Sequence, residues 1–199
     1  MATEAARPAA EQDAAAEDMS VFNVLASPAG VVAGAVLAAA RNSVALTRED
    51  LAGQLGVSGQ TVADWESGAQ PQCGVRPDQV ARLTGVLLKA GADPRIVADL
   101  SLASECDLLV FGLVHGLDDF LAEVPPVDED EAGTAARDLL RWALAGIVPA
   151  RYGRHAALVA AGPLLDLATR TRFEVAAHAL AWHLNPDARA IGRALVALA

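Results

Sequence analysis

Aromatic residues are scarce in this chain, making up 4% of its 199 residues. Aromatic and β-branched residues favour strands, whereas alanine, abundant here, is the best helix former. The shortage therefore counts against a sheet protein. Cysteine is equally rare: Cys73 and Cys106 have neither metal-ligand spacing nor a framework to staple, and they read as reduced thiols of a cytoplasmic protein. The four histidines, His115, His155, His178 and His183, give no zinc spacing. No glycine-rich phosphate loop follows a strand, and Ser101 and Ser104 lack the context of a nucleophile elbow. Asp118, Asp119 and Asp166 have no partner base at a useful spacing. The expectation is a protein that is not an enzyme and needs no cofactor or metal.

Positive charge is also short, with 15 Lys and Arg against 25 Asp and Glu and a formal net charge of −10. Broad, non-specific nucleic-acid binding needs a basic footprint, so this balance argues against it. The charge is unevenly placed. Residues 1–20 carry net −4, 21–92 net 0, 93–133 net −10 and 134–199 net +4. An acidic block followed by a basic one is expected to pair, within the chain or between chains. The uncharged stretch Met19–Ala40 is long enough to span a bilayer. It contains Asn23 and a Ser27-Pro28-Ala29-Gly30 break, and the acidic tail before it is wrong for a signal peptide. No membrane association is expected.

Residues 1–18 read as a disordered acidic tail. A first unit, 28–92, holds helix 31–43, helix 47–55, helix 59–67, a loop at 68–76 and helix 77–90. Asp93-Pro94 then supplies an N-cap followed by proline at the first helical position. Helical spacing runs on to Val124, with a break near Ser104, and Pro125-Pro126 opens an acidic linker within 124–133. Thr134 is placed as the cap of a helix ending near Ala145. Arg151–Ala161, Pro163–Leu184 and Pro186–Leu198 complete a helical bundle, 93–199.

The most informative stretch is Thr47–Ser67. Thr47 and Asp50 have the spacing of a capping box, Leu51, Ala52 and Leu55 form one apolar face, and Gly56 suits a left-handed helix end. Val57 buries in the turn and Ser58 caps the next helix, in which Val62 and Trp65 face inward. Two short helices joined by Gly-Val-Ser make a helix-turn-helix. Leu37, Ala40, Arg41, Leu46, Thr47, Leu51, Ala52, Gly56, Val57, Ser58, Val62, Trp65, Glu66, Gly68 and Pro71 carry the pattern. Over residues 36–71 the chain resembles the lambda-repressor/Cro-type family, also called the xenobiotic-response-element regulators.

Composition and patterning give an all-α protein, and the resemblance makes its first unit a five-helix-type helix-turn-helix domain, followed by the helical bundle. The resemblance implies a sequence-specific transcriptional regulator, a repressor, that binds double-stranded DNA through the major groove as a homodimer. Arg41 and Glu66 become a structural pair, and Arg48 a phosphate contact at a helix start. Ser58, Gly59, Gln60, Thr61, Asp64 and Ser67 fall on the DNA-facing helix, with Gln60 suited to bidentate adenine contact. Departures from the pattern bear on this reading: Gly59 carries no side chain, Asp64 repels phosphate, and Ala45 stands where relatives often have glycine. The alternative is a non-catalytic adaptor that keeps the motif as a scaffold and engages a protein partner, in part through 93–199. A ligand-sensing bundle is a further possibility.

Overall fold

The computed structural model describes residues 30–69, 77–116, 131–156, 162–183 and 186–198. The tail expected over 1–18, and most of the loop at 68–76 and of the linker at 124–133, lie outside them. The described residues form helices and no strands. In chain order these are α1 Val31–Ser43, α2 Arg48–Leu55, α3 Gly59–Ser67, α4 Pro77–Lys89, α5 Pro94–His115, α6 Glu131–Ala145, α7 Gly153–Ala156, α8 Leu167–Ala181 and α9 Pro186–Val196, with a 3-10 turn Ala150–Tyr152 before α7. No helix among the described residues is long and apolar enough to cross a membrane.

The second half of the uncharged stretch singled out above becomes α1. Ten of its 13 residues, Val32–Arg41, are buried. A helix apolar on every side must be covered on every side, and α1 packs against α3, α5, α6 and α7. At its start Gly34 lies where a Cβ would come within 2.5 Å of the Trp65 carbonyl oxygen and 2.6 Å of that of Glu66. Only glycine admits so close an approach of α1 to the end of α3. One continuous core runs from Leu37, Leu51 and Val62 through Ile96 and Leu100 to Trp142, Tyr152, Phe173 and Leu195. The helices after residue 93 therefore do not swing free of those before it.

Two polar contacts reach into this core. Asp107 of α5, 4% exposed, accepts from the amides of Val32 and Ala33 at 2.9 Å each. It thereby satisfies two of the donors that any helix leaves open at its start. Asp99, just over two turns earlier on α5, accepts from Arg151 Nε at 2.6 Å and from the Tyr152 hydroxyl at 2.8 Å, while Arg151 Nη1 donates to Asp138 at 3.1 Å. Here the acidic and basic blocks do meet within one chain, through Asp99 and Arg151.

Several boundaries differ from expectation. Helix α5 passes Ser104 without a break, because the Ser104 hydroxyl donates to the Leu100 carbonyl inside the helix. It ends at His115 rather than Val124, since Gly116 takes a left-handed φ of 66°. Thr134 is not a cap: α6 begins at Glu131, so the helix has taken over the end of the linker and Arg137 donates to the Thr134 hydroxyl. Helix α8 starts at Leu167 rather than Pro163, because Asp166 caps it by accepting from the Thr169 amide at 2.7 Å.

Candidate nucleic-acid interface

The turn between α2 and α3 is built from local chemistry. Thr47 accepts from the Asp50 amide at 3.0 Å, and Asp50 accepts back from the Thr47 amide at 3.1 Å. The Thr47 hydroxyl also holds the Asp50 carboxyl below the usual carboxylate range. Gly56 then turns the chain at φ 74°, a left-handed residue that glycine supplies at no steric cost. Ser58 opens α3 by accepting from the Thr61 amide at 3.0 Å, and Gly68 closes it at φ 75°. Val62 and Trp65 are buried under α3, with Leu51, Ala52 and Leu55 of α2 in the same core.

Arg41 and Glu66 are brought together. Arg41 Nε donates to Glu66 Oε1 at 2.5 Å and Nη2 to Oε2 at 3.1 Å, while Nη1 donates to the Leu46 carbonyl at 2.7 Å. The pair ties α1 to α3 and to the loop before α2. Arg48 joins it, its Nε donating to Glu66 Oε2 at 2.6 Å. One carboxylate thus serves two guanidiniums of different exposure: the Arg41 side chain is 10% exposed and that of Arg48 50%. A guanidinium has five N–H donors, so Arg48 keeps donors for a phosphate while Glu66 steadies it.

The remaining residues divide by what occupies their polar atoms. The Ser58 and Thr61 hydroxyls bond each other at 2.8 Å. The Ser67 hydroxyl donates to the Asp64 carbonyl at 3.1 Å. These three serve the ends of α3. Gln60 is exposed, and its Nε2 donates to Asp64 Oδ1 at 2.7 Å, a contact between neighbours one turn apart on a helix. A carboxamide has one more N–H and its own oxygen to offer, so the pair at 60 and 64 can still present a donor and an acceptor together. Gly59 carries no contact of its own. A Cβ there would stand 3.4 Å from Glu49 Oε1, which puts a carboxylate beside the start of α3.

Sequence reasoning missed Glu49 beside the start of α3, the bond that joins Arg48 to the Arg41–Glu66 pair, and Asp107. For Asp107 a signal existed. Ile96, Leu100, Ala103, Asp107 and Val110 recur at steps of four and three, so the acid occupies a core position of an amphipathic helix. Among the described residues, no group of three or more His, Cys, Asp or Glu side chains is placed to hold a metal ion.

Residues 32–87 match the family model of the helix-turn-helix domain, and that segment is such a domain, consistent with the lambda-repressor/Cro resemblance. No curated protein and no solved structure matches the chain.

Proposed function

We propose that this chain is a sequence-specific DNA-binding transcriptional regulator, a cytoplasmic repressor without catalytic activity, whose helix-turn-helix lays α3 in the major groove. The observation that carries the reading is the helix-turn-helix over 32–87, with Gln60 exposed at the start of α3 and Arg48 half-exposed beside it. Gln60 reads a base, Arg48 holds a phosphate, and the helices after residue 93 supply the homodimer that pairs two half-sites. Arg41 and Glu66 fix the angle between α1 and α3 and touch no DNA. Ser58, Thr61 and Ser67 act by shaping the helix ends.

The test is fluorescence anisotropy of the full chain with labelled genomic fragments, its own promoter included, across a salt series. Selective binding that weakens steeply with salt is expected, because phosphate contacts release counterions. Gln60→Ala relaxes base preference, by about 1–3 kcal/mol of discrimination. Arg48→Ala weakens binding to all sequences alike. Absence of selective binding at low salt sinks the proposal.

A second reading rests on two carboxylates, that of Glu49 on α2 beside the start of α3 and that of Asp64 on α3 itself. They fit an adaptor that presents this helix to a protein partner rather than to phosphate. Binding indifferent to salt, to a protein recovered by pull-down, would favour it.

A further inference from the structure

Helix α8 has two apolar faces. Phe173, Ala177 and Leu180 are buried in the core. On the other side Ala168, Thr171, Val175 and Ala179 are all exposed, as is Trp182 at the C-cap that ends the helix, Val175 at 66% and Trp182 at 85%. A soluble surface seldom presents so bare a tryptophan without a use for it. Ala168, Val175 and Trp182 are seven residues apart, and Thr171 and Ala179 fall between them. That is the spacing of a helix seam that pairs with another helix.

We propose that this face of α8 is the homodimer interface, formed by antiparallel pairing with α8 of a second copy and centred on Val175. The proposal rests on the dimeric regulator described above and names the surface that makes the dimer. The occupant follows from self-complementarity. In a two-fold pairing centred on residue 175, position 168 faces 182 of the other copy, 171 faces 179, and 175 faces itself. The largest side chain of the seam, Trp182, then lies over one of its smallest, Ala168, at both ends. Thr171 meets Ala179, again a close fit of small residues. At the edge of the seam the exposed Arg172 of one copy stands level with His178 of the other, and the exposed Glu174 lies about one helical turn or less from that same His178, so an acid and a base flank it together and the fit of sizes carries the pairing. A parallel pairing would instead stack Trp182 on Trp182 and Ala168 on Ala168, leaving a gap at one end.

A seam of one helix pair is small, so the dimer belongs to the reversible class that buries less than about 1,200 Å². Two half-sites on one DNA would then raise its effective concentration.

Sedimentation equilibrium of the full chain between about 1 and about 100 µM, the affinity range of small transient interfaces, tests this. A reversible monomer–dimer equilibrium is expected. Val175→Glu and Trp182→Glu each weaken it by about tenfold or more, with circular dichroism and melting unchanged because both positions are exposed. Val175→Cys, sitting on the two-fold, crosslinks to itself under mild oxidation where the parent chain does not. A monomeric parent, a dimer indifferent to both Glu variants, or a Val175→Cys chain that fails to crosslink overturns the proposal. Selective DNA binding by a parent that stays monomeric would overturn this face alone. A dimer that binds no DNA would instead overturn the regulator reading and leave the face standing.

Discussion

Replacing Asp107 by asparagine changes how the protein's stability depends on pH. Burial pushes the Asp107 carboxyl from an ordinary 3.8 up to about 7, and the amides at the start of α1 pull only partly the other way. Between those two values the folded chain holds a proton that the unfolded chain has released. Unfolding free energy therefore falls as pH rises through that window, by up to about 1.4 kcal/mol per unit. The stabilisation is complete below the unfolded value, is lost as pH approaches about 7, and changes no further above it. Asparagine keeps only one of the two oxygens that accept from the Val32 and Ala33 amides, a loss independent of pH, and it cannot titrate. From about pH 5 to about pH 8 the wild type should therefore lose about 3 kcal/mol relative to Asp107→Asn. Urea denaturation of both chains across that range measures the difference, in which every other titrating group cancels. A difference that stays flat to within about 0.5 kcal/mol would refute the reasoning, for it would mean that the helix amides outweigh burial and keep the carboxylate charged.

Other substitutions probe the frame around the interface. Gly34→Ala should destabilise by at least about 1 kcal/mol in chemical denaturation despite alanine's helix propensity, because the new methyl meets the Trp65 and Glu66 backbone. Ala45→Gly should stabilise by about 0.5–1 kcal/mol, since Ala45 sits at φ 55°, where glycine is unstrained. Glu66→Ala should cost about 3–5 kcal/mol by leaving the buried Arg41 unpaired, whereas Arg48→Ala, at an exposed pair, should cost under about 1 kcal/mol of stability. Tyr152→Phe removes the hydroxyl that donates to the buried Asp99 and should lower stability by about 1–2 kcal/mol in the same assay.

The helix-turn-helix was legible because its signals are local. Thr47, Gly56, Ser58 and Gly68 each act within three or four residues, and all four perform in the structure the capping or turning role that their chemistry dictates. Helix ends further on were less legible where two local signals compete. Pro163 and Asp166 both can open a helix, and the carboxylate that reaches the Thr169 amide decides in favour of the later start. Thr134 has the chemistry of a cap but lies three residues inside a helix that starts among the acids. The partners of Asp107 and Arg48 were not legible at all, and for Asp99 only the pairing of the two charged blocks was. Each lies on a different helix, at a separation of 75 residues in one case, and only packing brings it close. The same holds at α3: residue types gave Gln60 and Asp64 separate tasks, and the bond between them makes them one unit.

The position of α1 has a consequence for anyone who would work with the helix-turn-helix alone. Its inner side lies against α3, and its start is held by Asp107 of α5. Cut after residue 92, the fragment would lose the acceptor for two amides and the cover for a helix that is apolar all round. The shortest piece of the chain that keeps the helix-turn-helix covered as it is here thus extends at least through α5. By the same token, a ligand or mutation that shifts α5 moves the α1 backbone, and Gly34 passes the displacement to the end of α3 without any intervening side chain.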